Sequence, residues 1–178
     1  MAPSGLLLSL LILDVAGINR RPLEVTRGKA NVLFFVTNDC PIANSYAPEI
    51  ARICASYQSQ GINCSLIYVD PSLSDSGAIK HAQEYKHGDY PRIVDRQHEL
   101  VKATGVTITP EVAVINRAGN VVYRGRIDDS YAGLAEPRRP AKSFDLRNAL
   151  DELIAGRPLA TPETKALGCY ISDFTKRQ

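Results

Sequence analysis

Cys40 stands at a change of pattern: the apolar run from Val32 to Val36 stops at Thr37, Asn38 and Asp39, and Pro41 follows the cysteine. Pro is suited to a first helical position, because the N–H it lacks has no intrahelical partner there and its φ is already helical. A cysteine between a strand and a helix start lies near unpaired backbone N–H groups that stabilise negative charge, which favours a nucleophilic thiolate. The carboxylate of Asp39 acts in the opposite direction. A loop-to-helix position of this kind is expected to be exposed and reactive rather than buried and inert.

The other cysteines divide into two kinds. Cys54 falls on the apolar face of the helix expected after Cys40, and Cys64 at the start of a strand, so both read as small core residues. Cys169 lies in a segment rich in Gly, Thr and Pro, where burial for its own sake is less expected. The four cysteines form no close metal-ligand pairs, and His81, His87 and His98 have no HxxxH partner, so neither a metal nor another cofactor is called for.

Alternating elements must position these residues. Val32 to Val36 has no polar alternation and reads as a central strand covered on both faces. A helix follows from Pro41 to Gln60, kinked at Pro48, then a strand over Ile62 to Val69 and a helix over Ser74 to Lys86. A strand at Pro91 to Asp95 and a helix at Gln97 to Ala103 complete βαβ units. Val112 to Asn116 and Val121 to Arg126 flank Arg117, Ala118 and Gly119 as an antiparallel hairpin. A long loop, Asp128 to Ser143, leads to a last helix over Phe144 to Ala155.

At the N-terminus, Leu6 to Leu13 is apolar except for Ser9, with no Lys or Arg before it and no clear small-residue cleavage pattern after it. It is far shorter than the ~20 residues of a membrane span, and reads as the first strand of a hairpin ending near Pro22 and Leu23. One domain over 1–158 and a tail over 159–178 carrying Cys169 are expected. With 44% hydrophobic and 22% charged residues the 178-residue chain has globular composition, and a net charge of +2 gives no footprint for nucleic acid.

The segment VLFFVTNDCPIANSYAPEI resembles the active-site region of thioredoxin-like redoxins, where a strand runs into a Cys-x-x-Cys helix and a Pro-Glu-Leu. Downstream, GVTITPEVAVINRAGNVVYRGRID resembles their Thr-Pro loop and β-hairpin. The resemblance implies a thioredoxin-like α/β fold, a central mixed β-sheet flanked by helices, with an N-terminal β-hairpin extension and a C-terminal tail. It implies a cis Thr109–Pro110 bond beside the Cys40 sulfur, Thr37 and Cys40 as catalytic residues, and Pro41, Thr109 and Pro110 as substrate-binding. Cys-Pro-Ile-Ala-Asn with a later Gly-Cys is similar to bacterial proteins of the alkyl hydroperoxide reductase and thiol-specific antioxidant group.

Three departures matter. Ala43 replaces the second cysteine of Cys-x-x-Cys, so Cys40 has no local disulfide partner. Leu33 replaces the Pro of the peroxiredoxin motif, and the arginine of that family has no clear match. Val36 replaces the first cysteine of copper-delivery relatives. By analogy with peroxiredoxin tails, Cys169 is a candidate to resolve oxidised Cys40; a bystander thiol is the other reading.

Two functions stay open. One is a thiol oxidoreductase in which Cys40 attacks a peroxide, or a protein or small-molecule disulfide, with an external thiol as reductant. The other is a non-catalytic binding or scaffold module that retains the Thr-Pro loop. Neither the oligomeric state nor the compartment, bacterial cell envelope or cytoplasm, is fixed by the sequence, and the resemblance points to the envelope.

Overall fold

A computed structural model describes residues 10–172. Its core is a five-stranded mixed sheet. The central strand is β3 (Ala30–Val36), with all seven residues buried. It pairs in parallel with β4 (Ile62–Tyr68), which pairs in parallel with β5 (Arg92–Val94). On its other side β3 pairs antiparallel with β7 (Glu111–Asn116), which forms a hairpin with β8 (Val121–Gly125). The β7–β8 turn is held by Asn116, whose Oδ1 accepts the N–H of Ala118 and of Asn120. Successive side chains of β3 point to opposite faces, so two cores result. Val32, Phe34 and Val36 pack with Ile50, Ile53, Leu146 and Leu150; Leu33 and Phe35 pack with Ile67, Ile93 and Leu100.

Helices cover both faces. The chain from Pro41 forms α1 (Pro41–Ser45) and α2 (Ala47–Gln58), separated at Tyr46. One helix with a kink was the sequence expectation; the structure has a break. Pro48 removes an N–H and its ring clashes with the carbonyl four residues back, so the α1 register cannot run through it. α3 (Asp75–Glu84) is capped by Ser74, whose hydroxyl accepts the N–H of Gly77 at 3.0 Å. α4 (Glu99–Thr104) follows β5, and α5 (Asp145–Ile154) presents Leu146 and Leu150 to the core.

The N-terminal hairpin joins β1 (Ile12–Leu13) to β2 (Asn19–Arg20), so its second strand precedes Pro22 rather than including it; residues 6–9 of the expected first strand lie outside the described residues. A further small sheet pairs β6 (Ile108–Thr109) antiparallel with β9 (Cys169–Tyr170). That pairing decides the site.

Candidate functional site

Cys40 is the residue before the first turn of α1, and its carbonyl accepts the N–H of Asn44 at 2.9 Å. Because α1 is a single turn ending at Tyr46, the helix-dipole contribution expected from a long helix is reduced to that of a few N–H groups. The expected exposure is also corrected: Cys40 is 1% exposed. The Thr-Pro loop and the returning tail cover it. Its thiol donates to the Thr109 carbonyl at 3.4 Å, and the Thr109–Pro110 peptide bond is cis.

Thr37, at the end of β3, joins the same cluster: its hydroxyl lies 3.4 Å from that of Thr109, which donates to the Cys169 carbonyl, also at 3.4 Å. Pro110 is buried and Pro41 is exposed. Cys40, Thr37, Thr109, Pro110 and Cys169 therefore converge from three separate segments of the chain.

The tail reaches this point along a fixed route. It first follows the edge of β8, where Arg124 donates to the Pro162 carbonyl at 3.0 Å and accepts from the Thr164 N–H at 3.1 Å. It then enters β9, where Cys169 lies opposite Thr109 and the Ile171 N–H reaches the Thr107 carbonyl at 2.9 Å. Gly168 makes the approach close enough: a Cβ there would sit 2.0 Å from the Thr109 carbonyl oxygen. The Cys169 thiol comes within interaction range of Cys40. The Cys169 residue is exposed, but partial desolvation of its thiol, then the interaction with and charge of Cys40, then Asp39, push it up to about 12. Cys169 therefore stays protonated through the neutral range.

Sequence reasoning missed two supports of the site. Glu111, directly after Pro110, is buried and accepts the N–H of Thr107 at 2.8 Å and of Ile108 at 3.2 Å, which fixes the strand on which β9 docks. A carboxylate in the otherwise apolar run from Pro110 to Ile115 was the signal available. Glu111→Ala leaves two donors without an acceptor and is expected to cost about 2 kcal/mol. Glu111→Gln keeps one acceptor and is expected to cost less than about 1 kcal/mol. Urea unfolding of the two variants measures the difference.

The second support is a polar cluster under α3. Asn44 donates to the Asn38 carbonyl at 3.0 Å, its amide oxygen lies 2.9 Å from His81 Nε2, and His81 Nδ1 lies 2.8 Å from the Tyr68 hydroxyl. His87 stacks near His81 and meets the Tyr90 hydroxyl at 3.0 Å. Burial first, then the charges of His81 and Arg92, lower His87 to about 4. Below its ordinary value near 6.5 the unfolded chain binds a proton that folded His87 refuses until about 4. Stability is thus expected to fall by about 2–3 kcal/mol as pH drops across that window, and this contribution levels off below it. Thermal denaturation from pH 7 to pH 4 checks this: His87→Gln should show a shallower loss than the parent, and parallel curves would exclude His87 as the cause.

With the geometry in place, the redoxin family model matches residues 17–136, the span that contains Thr37, Cys40 and the Thr-Pro loop. The chain belongs to the redoxin family. Membership carries a thioredoxin-like redox function, acting on thiol substrates. Among solved structures, this redoxin resembles an uncharacterized conserved protein from Geobacillus kaustophilus, at 28% identity and a TM-score of 0.79, over 92% of this chain and 88% of that one. A hypothetical protein from Sinorhizobium meliloti matches at 24% identity and a TM-score of 0.77, over 91% and 89% of the two chains. A secreted Mycobacterium tuberculosis disulfide oxidoreductase homologous to E. coli DsbE shares the fold, at 17% identity and a TM-score of 0.57, over 84% of this redoxin and 97% of that chain. No curated protein sequence matches it. Among the described residues no helix is long and apolar enough to cross a membrane, and no group of three or more His, Cys, Asp or Glu side chains is arranged to hold a metal ion.

Proposed function

We propose that this redoxin is a thiol–disulfide oxidoreductase in which Cys40 and Cys169 form the working couple, the tail cysteine taking the part that Ala43 cannot. The observation that carries this reading is the β6–β9 pairing, which sets Cys169 opposite Thr109, the residue whose carbonyl accepts the Cys40 thiol.

The Cys40 thiolate attacks one sulfur of a substrate disulfide. A Cys40–substrate bond forms, the substrate S–S bond breaks, and the departing thiolate takes up a proton. Cys169 then loses its proton and attacks the Cys40 sulfur, closing a Cys40–Cys169 disulfide and releasing the second substrate thiol. Two electrons and two protons pass from the protein to the substrate; an external thiol restores the dithiol by the same steps in reverse. Part of what holds Cys169 protonated is the interaction with and charge of Cys40. Both vanish once Cys40 is in the mixed disulfide, so Cys169 becomes easier to ionise at the step where it must act. Thr109 holds the tail backbone, Thr37 meets the Thr109 hydroxyl, and Pro41 and Pro110 flank the substrate approach.

The test is peptide mapping of the reduced parent protein after stoichiometric oxidised glutathione. Trypsin releases Cys40 in residues 30–52 and Cys169 in residues 166–176. The expected result is these two peptides joined by a disulfide. Free thiols on both would sink the couple. Peptides that join after hydrogen peroxide and not after any organic disulfide would instead make the substrate a peroxide.

A further inference from the structure

Away from Cys40, a second pair of thiols borders a cavity. Cys54 on α2 and Cys64 on β4 are 7% and 8% exposed and belong to one buried cluster, their thiols within interaction range of one another. Both line a cavity of about 860 Å³, open to solvent, whose walls come from α2, the start of β4, residues 19–27 and residues 88–91. Cysteines that merely fill core volume sit among close-packed neighbours, and a space of this size beside them is instead the volume of a small-molecule site.

The wall has a charge pattern. Arg20 is ion-paired with Asp14 at 2.8 Å and Arg21 with Glu24 at 3.1 Å. Arg27, on the same wall, has no ion-pair partner among the described residues. Glu24 and Asp89 also line the space, so a ligand's carboxylate has its place at the Arg27 side. A guanidinium recognises a carboxylate through paired charged hydrogen bonds.

We propose that Cys54 and Cys64 are a second dithiol, which reduces a carboxylate-bearing low-molecular-weight disulfide held in this cavity. Attack begins at Cys64, which lines the cavity with Cys54. Cys64 forms a bond to one ligand sulfur, the ligand S–S bond breaks, and the departing thiolate takes the proton that Cys64 gave up. Cys54 then gives up its proton and attacks the Cys64 sulfur, closing the Cys54–Cys64 disulfide and releasing the second ligand thiol. The pair loses two electrons and two protons; the small disulfide becomes two thiols.

The experiment uses the whole protein. Trypsin releases residues 53–80 as one peptide holding Cys54, Cys64 and no other cysteine, separate from the peptides of Cys40 and Cys169. Failure here is therefore distinguishable from failure of the Cys40–Cys169 couple. After oxidised glutathione, acid quench, unfolding and alkylation, the expected peptide is lighter by two hydrogens and carries no alkyl group. Arg27→Gln is expected to slow its formation by about tenfold, the worth of one charged hydrogen bond, and to leave the rate with uncharged bis(2-hydroxyethyl) disulfide unchanged. A doubly alkylated peptide would overturn the proposal, and a persistent glutathione adduct would overturn the closing step. Equal slowing with both disulfides would overturn the carboxylate recognition.

Discussion

Cys40→Ser is expected to reduce disulfide turnover to the uncatalysed background, and Cys169→Ser to stop the same reaction one step later. Cys40 is the thiol that the strand, the single turn of α1 and the Thr-Pro loop converge upon, and a hydroxyl does not attack a disulfide. Serine keeps the size of the buried side chain and can donate to the Thr109 carbonyl in place of the thiol, so the fold is expected to survive. In Cys169→Ser the first attack still occurs, leaving substrate attached to the peptide 30–52. Resolution then depends on an external thiol at about 1 mM rather than on a neighbour within the chain, a loss of about ten- to hundredfold in steady-state rate. Reduction of a disulfide-bonded peptide, followed by mass analysis of the trapped protein, reads both variants. Undiminished turnover in Cys169→Ser would remove the tail from the cycle, and turnover in Cys40→Ser would remove Cys40.

What the sequence reveals of this molecule follows how far apart the interacting residues are. The unbroken apolar run at Val32 to Val36 marks the central strand because a strand buried on both faces leaves no position for a polar residue, and β3 is buried throughout. The turn after Asn116 is equally local, since Asn and Gly close it through their own backbone geometry. The burial of Cys40 is another matter. It depends on β6 and β9, two-residue strands about sixty positions apart, and two residues carry no period to read. Gly168 looks in sequence like an ordinary turn glycine; only the approach of the Thr109 carbonyl shows why no side chain fits. Glu111 likewise reads as a charge beside a proline, and its purpose emerges only where the Thr107 and Ile108 N–H groups donate to its carboxylate.

Gly168→Ala separates the two consequences of tail docking, because it should make Cys40 easier to reach and harder to resolve. The added Cβ would lie 2.0 Å from the Thr109 oxygen and 2.7 Å from its carbon, and backbone atoms cannot turn aside as a side chain would. β9 must lift from β6, losing the Ile171 to Thr107 bond and the Thr109 hydroxyl bond to Cys169. The earlier contacts of Pro162 and Thr164 with Arg124 lie before the disturbed residue, so the displacement stays local. Cys40, 1% exposed under the tail, then opens to solvent, and its alkylation by iodoacetamide is expected to rise by about tenfold or more. Cys169, freed of the partial desolvation of its thiol and of its contact with Cys40, is expected to fall from about 12 toward the ordinary thiol value, so it too alkylates faster at neutral pH. Closure of the Cys40–Cys169 disulfide is expected to slow by about tenfold or more even though each thiol is individually more reactive, since the loss is one of position. Rates of alkylation and of disulfide formation, read on the same two tryptic peptides, must therefore move in opposite directions; if both rise together, proximity at β9 is not what joins the two cysteines.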